Sequence, residues 1–183
     1  TLLHDWAGGP EPGRTIQAAS MAGLSGGFIG GNDLNEVTLD EPSIRSKGAF
    51  LGAAGIMVFD SRRNMVDVAS NAMAFFAEES CGKCFPCRLG MTHILEIVER
   101  ICNFETTQDD LRLMQDVGKN MQAGSLCGHG QLGYNPISSA LKHFQSDFES
   151  CMDGNCPTGS CNERQIVFPE NTRPNSWQTI KGN

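Results

Sequence analysis

From Asn64 onward the apolar residues of this chain recur at intervals of three and four. Met65, Val68, Ala72 and Phe76 make one stripe, and Met91, Ile94, Leu95, Val98 and Ile101 make a second. Leu111, Met114, Val117 and Met121 follow as a third, then Ile137, Ala140, Leu141, Phe144 and Phe148 as a fourth. A period of 3.6 with polar residues between is the signature of helices that bury one face. Thr107 with Asp110 resembles a capping box at the start of the third stripe. Asn135-Pro136 supplies an N-cap and a first-turn proline for the fourth. The connections are short, so residues 63–150 are expected to form an up-down-up-down four-helix bundle.

Before Asn64 the pattern is different. "RTIQAASM" and "GIMVFD" are short β-prone runs and read as strands. "GLSGGFIGGND" between them reads as a loop, and "EPSIRSKG" as a short helical turn with Pro42 near its start. Residues 1–62 therefore read as a small α+β unit. Residues 151–183 are rich in Pro, Gly, Asn and Ser and read as an irregular tail.

Composition narrows the function. The 183 residues carry a formal net charge of −7, which argues against a nucleic-acid partner, since phosphates call for a basic face. No apolar run approaches the ~20 residues of a membrane span, and no signal peptide is evident. The chain begins at Thr1 rather than Met, which suggests a segment upstream. Eight cysteines are about 4% of the chain, below the ~8–10% of a disulfide scaffold. The expected setting is the reducing cytoplasm. Two local groups, Cys81/Cys84/Cys87 and Cys151/Cys156/Cys161, read better as two metal sites than as four disulfides. Cys102, beside Ile101 on the second stripe, reads as an inert core residue.

The first group has the spacing C-x2-C-x2-C within "ESCGKCFPCRLG". Zinc sites usually combine two separated pairs, whereas one such loop suits three irons of a [4Fe–4S] cluster. In an up-down bundle the loop after the first helix and the loop after the third reach the same end. The latter contains Cys127, in "GSLCGHG", which becomes the fourth ligand, with His129 as its competitor. Gly82, Pro86 and Gly90 allow the backbone to bend around a cluster. Lys83 and Arg88 either raise its potential or are solvated loop charges. His4, His93, His129 and His143 have no evident carboxylate partner in sequence, and no catalytic acid or base is expected.

"ESCGKCFPCRLG", "SLCGHGQ" and "NPISSALKHFQSDFE" together resemble the C-terminal half of the flavin-carrying NADH-dehydrogenase subunit of respiratory complex I. Relatives occur in NAD-dependent formate dehydrogenases and multimeric iron-only hydrogenases. "SMAGLSGGFIG", "LDEPSIRSKGAFLGAAGIMVFD" and "NMVDVA" look like that family's β-grasp domain and bundle entry. The resemblance implies a β-grasp-like unit at 1–62 and a [4Fe–4S]-binding bundle at 63–150. It also implies one cluster on Cys81, Cys84, Cys87 and Cys127, exchanging single electrons with a flavin. The family's FMN and NAD(H) domain has no counterpart in this sequence. FMN and NAD(H) are then expected on a missing or partner domain, the chain being a fragment or a split subunit that does not oxidise NADH alone. Other iron–sulfur and catalytic subunits of an oxidoreductase complex are the expected partners. The alternative is a structural zinc-binding adaptor without a redox role.

The tail stretch "CMDGNCPTGSC" is similar to a Cys-Pro-x-Gly-x-Cys run in the hydrogenase- and formate-linked branch, where such cysteines hold zinc or lead into further clusters. It leaves the bundle at the end opposite the first group. No ferredoxin-like repeat follows, which favours a zinc on Cys156 and Cys161, completed by Cys151 and His143. In one continuous helix His143 and Cys151, eight positions apart, share nearly the same face. Free thiols on a flexible tail are the other reading.

Overall fold

The computed structural model describes residues 1–107 and 109–161. Of the tail expected to be irregular, residues 151–152 end a helix and residues 162–183 lie outside the described residues. The fold is α+β: a three-stranded antiparallel sheet followed by a set of packed helices. The strands are β1 (Ile16–Ser20), β2 (Phe28–Gly30) and β3 (Met57–Asp60), in the order β2-β1-β3. Ala19 stands opposite Ile29 on one side and Val58 on the other.

Alternation along β1 and β2 divides the apolar residues between two faces. Ala18 and Phe28 join the core of the helices. Ala19 and Ile29 join a smaller cluster with Met21, Ile44 and Ala49. Ile44 comes from α1 (Glu41–Ser46), whose N-cap Asp40 accepts the Ser43 N–H at 2.8 Å. Strand β2 falls within the stretch expected to be a loop. Its three residues are too few to show alternation, and glycines on both sides hide it. Phe28 and Ile29 are nevertheless completely buried.

The bundle is built from α2 (Met65–Glu78), α3 (Phe85–Cys102), α4 (Asp110–Gly124), α6 (Asn135–His143) and α7 (Gln145–Met152). A short α5 (Gly128–Leu132) precedes α6. Helix α3 packs against both α2 and α4, and α2 also meets α6. The fourth apolar stripe, expected as one helix, is two. The chain breaks at Phe144 (φ −134°, ψ 36°), although its apolar period runs on unbroken. Neither Gly nor Pro marks the break.

Four polar side chains anchor the elements. Asn64 caps α2, accepting the Val66 N–H at 2.8 Å. The buried Asp110 accepts the Thr107 N–H at 2.8 Å and pairs with Arg100. Burial pushes its carboxyl up, but these donors outweigh it and hold it below the ordinary range. Ser139 Oγ on α6 accepts the Phe28 N–H at 2.8 Å, and Asn135 Nδ2 donates to the Ser25 carbonyl at 2.9 Å. These last two bonds join sheet and bundle. Among the described residues no helix is long and apolar enough to cross a membrane.

Gly118 shows how closely the last helices dock. A Cβ there would lie 2.4 Å from the buried ring of Tyr134. Alanine gains about 1 kcal/mol of helix propensity at such a site. Overpacking costs about 1–3 kcal/mol. Gly118→Ala is therefore expected to lower stability in a denaturant titration, and a raised midpoint would contradict this packing.

Candidate metal centres

The loop between α2 and α3 carries Cys81, and α3 begins with the next two cysteines. Cys84 is the N-cap in extended conformation, and Cys87 lies in the first turn. Cys84 makes no side-chain cap, so its sulfur is free for other partners. Gly82 takes φ +71°, a left-handed turn that favours glycine. Arg88 Nη1 donates to the Gly82 carbonyl at 3.1 Å and pins the loop from the helix. Ser80 Oγ lies 3.4 Å from Cys87 Sγ.

The second contribution comes from the chain after α4. Leu126 presents its backbone N–H to the Cys84 sulfur, and this donor is the main reason the Cys84 thiol titrates below its ordinary value. Burial pushes Cys87 up, and the nearby Cys84 and Cys127 sulfurs add to the effect. The segment carrying Cys127 therefore lies against Cys84 and Cys87. Cys81 is on the same loop and, like Cys127, is exposed. His129 is turned away: its Nε2 lies 2.9 Å from the Phe76 carbonyl, and its ring leans on Phe76. That contact favours Cys127 over His129 as a ligand.

The surroundings suit an iron–sulfur cluster. Ser125 Oγ is buried without a hydrogen-bond partner of ordinary geometry, on the side facing Cys84 and Gly130. A buried hydroxyl of this kind is a donor awaiting an acceptor, and cluster sulfur is one. No three of these four thiols draw within 4.8 Å of one another, as the ligands of a single ion would. Ligands around a multi-iron cluster stand further apart.

The tail cysteines contrast with this. The sulfurs of Cys151, Cys156 and Cys161 all lie within 4.8 Å of one another, with Cys151 and Cys161 at 3.7 Å. All three residues are buried. Asn64 Nδ2 donates to Cys151 Sγ and Cys156 Sγ, each at 3.2 Å, and the Cys161 N–H reaches Cys156 Sγ at 3.4 Å. The Cys156 thiol is raised by burial, but N–H groups of Cys161 and Thr158 outweigh that and bring it down to about 6. Its neighbours move the other way: Cys161 presses Cys151 up, and Cys102 presses Cys161 up.

His143 is elsewhere. Its Nε2 lies 3.3 Å from the Lys47 carbonyl and its Nδ1 3.6 Å from Asp33, beside Gly30 of the sheet. The break at Phe144 is the reason: it turns α7 relative to α6, so the shared face of one continuous helix does not exist. The expected fourth ligand of the tail group is thus directed to the sheet. Cys102, read from the sequence as inert, is instead the thiol beside Cys161. Only its position at the end of the second stripe, opposite the first cysteine loop, hinted at this.

Gly130 controls the approach of the Cys127 segment to Cys87. A Cβ on Gly130 would lie 2.5 Å from the Ser125 side chain and 2.9 Å from Cys87 Cβ. Gly130→Ala is expected to retain the helical far-ultraviolet spectrum while lowering the iron and sulfide held per chain. Unchanged iron content would show that this close approach is not needed.

Comparison with known proteins agrees with this geometry. Residues 67–151 match the NADH-ubiquinone oxidoreductase-F iron–sulfur binding region. The NADP-reducing hydrogenase subunit HndC of Solidesulfovibrio fructosivorans is 34% identical over 161 residues, covering 87% of this chain and 33% of that protein. An NADH-quinone oxidoreductase subunit of Rhizobium meliloti (strain 1021) is 36% identical over 147 residues, or 80% of this chain and 35% of the relative. A crystal structure of an NAD+-reducing [NiFe]-hydrogenase in the H2-reduced state superposes with a TM-score of 0.67 at 29% identity. It covers 82% of this chain and 25% of its own. The chain spans about a third of the length of these curated relatives. Over residues 67–151, the chain is similar to the NADH-ubiquinone oxidoreductase-F iron–sulfur binding region.

Proposed function

We propose that this chain is an electron-transfer module of a multi-subunit NAD(H)-linked oxidoreductase, holding one [4Fe–4S] cluster on Cys81, Cys84, Cys87 and Cys127. The observation that carries the reading is the meeting of two distant segments at one end of the bundle. The chain after α4, which carries Cys127, reaches Cys84 through the Leu126 N–H and Cys87 through Gly130, and this supports the four-cysteine set. The bound cluster supplies one-electron redox chemistry. The chain's own residues hold, insulate and tune it. The Leu126 N–H is a donor toward the Cys84 sulfur, the unpartnered Ser125 hydroxyl is free to donate to cluster sulfur, and such hydrogen bonds raise a cluster's potential.

The surface beside this site suits a partner. Phe85 is 65% exposed next to Cys84, and Leu126 is 82% exposed next to Cys127. Large apolar side chains left in water beside a redox site fit a face that another protein covers. The partners in this reading are other iron–sulfur and catalytic subunits, with FMN and NAD(H) held on a domain other than the described residues. The compartment is the cytoplasm, where eight unpaired cysteines stay reduced.

The test is anaerobic purification of the chain, followed by iron and sulfide analysis and EPR of the dithionite-reduced protein. About four irons and a reduced-cluster signal are expected. Cys127→Ala should lose the cluster or leave a three-iron remnant. An unchanged signal in that variant would return the fourth position to His129. A colourless wild-type protein with zinc at the first cysteine loop would instead establish the adaptor reading.

A further inference from the structure

The imidazole of His129 joins the two segments that carry the first group of cysteines, and the function argued above gives it no part. We propose that His129 is a positioning residue. Its Nε2–H, donated to the Phe76 carbonyl, holds the Cys127 segment against the end of α2 and so sets where the fourth cluster ligand stands. The proposal rests on the four-cysteine cluster reading and deepens it.

The carbonyl is the first argument. Phe76 lies in the last turn of α2, where carbonyls have no N–H one turn further along the helix. The backbone N–H groups that follow turn to its neighbours: Glu79 donates to Phe75 and Ala77, and Ser80 to Ala77. The Phe76 carbonyl goes instead to His129, 53 positions along the chain, with Nε2 at 2.9 Å. A carbonyl can only accept, so Nε2 carries the hydrogen. The partial negative charge at a helix C-terminus strengthens such a bond.

The seat of the ring is the second argument. Its centroid lies 5.2 Å from that of Phe76, with 50° between the planes. Phe76 belongs to the buried core of the bundle, so the imidazole leans on a fixed wall. Gly133 meets the same wall: a Cβ there would stand 3.5 Å from the Phe76 ring. Helix α5 therefore touches Phe76 near its start and again just past its end.

The third argument is what Cys127 lacks. It is the N-cap of α5 and exposed, and its side chain makes no cap hydrogen bond. Its place must come from the backbone on either side. Gln131 Nε2 donates to the Ser125 carbonyl at 3.0 Å, a bond within the segment itself. Gly130 makes the close approach to Cys87 on α3. The His129 bond adds the attachment to α2, whose last turn runs into the loop that bears the other three ligands. Phe76 and Cys81 are only five positions apart. One hydrogen bond thus ties the lone cysteine's segment to the root of the three-cysteine loop.

The experiment compares the full chain, purified without air, with His129→Phe and His129→Gln. Phenylalanine keeps a ring against Phe76 but has no donor, whereas glutamine restores an N–H at similar reach. Ferricyanide takes one electron from the [4Fe–4S]2+ form, which gives up Fe2+ and leaves [3Fe–4S]+. EPR of the three-iron product gives the rate. Alkylation of the native protein directly afterwards, with peptide mass spectrometry, identifies which cluster cysteine was freed. All three proteins are expected to hold about four irons. His129→Phe should convert about 10–100-fold faster, the range for losing a partner outside the ligand shell, with Cys127 the first cluster thiol labelled. His129→Gln should return toward the wild-type rate. Conversion of His129→Phe at the wild-type rate would overturn the proposal. So would equal acceleration in both variants, or first labelling at Cys81, Cys84 or Cys87. Should His129→Phe assemble no cluster, His129→Gln decides: near-wild-type iron and conversion support the proposal, and loss of the cluster there overturns it. A wild-type chain without four irons overturns the cluster reading and this proposal with it. A wild-type cluster indifferent to both variants overturns the proposal alone.

Discussion

Burial of one face of helix α3 along its whole length is the constraint on which the placement of both groups of cysteines depends. Met91, Ile94, Ile97, Val98 and Ile101 are all buried, held between α2 and α4. Eighteen residues make a rod of about 27 Å. Cys84 and Cys87 begin this rod, and Cys102 is its last residue. Because α3 is packed on several sides, neither end can shift alone. The partners of each end are brought in by neighbours that pack on the same rod: Cys127 by the return of α4, Cys151 by α7. Two sets of cysteines in one small chain are thereby kept about 22 Å apart. Each folds around its own end without competing for the other's thiols.

The helices were legible in the sequence because their apolar stripes are what pack. The same periodicity located Cys127, since three antiparallel helices bring their first and third connections together. Three features were not legible, each for a physical reason. Strand β2 is three residues long among glycines, and its burial comes from the Ser139 hydrogen bond and from α6, both supplied by distant sequence. The break at Phe144 leaves the apolar period intact, because α6 and α7 continue to bury the same kinds of residue across it. Cys102 looks like any core residue at the end of a stripe. What distinguishes it is the approach of Cys161, almost sixty residues later, which periodicity cannot report.

The glycines explain why the first site closes as tightly as it does. Gly90 lies where a Cβ would strike Met121, and Gly130 where it would strike Ser125 and Cys87. Both stand where helices converge around the cysteine loop. Backbone approach at these points substitutes for side-chain packing, so the sulfurs face one another without bulky residues between them. The cost is the lower helix propensity of glycine, roughly 1 kcal/mol in each helix. The long apolar stripes of α3 and α4 offset it.

The two thiol sets differ most in their relation to water. Cys81 and Cys127 are exposed, with Phe85 and Leu126 standing out beside them. Cys102, Cys151, Cys156 and Cys161 are all buried. A centre that passes electrons must come close to the surface where its partner docks, and some exposure of its ligands follows. Burial along α3 therefore runs from an open N-terminal end, beside the exposed cysteines, to a closed C-terminal end.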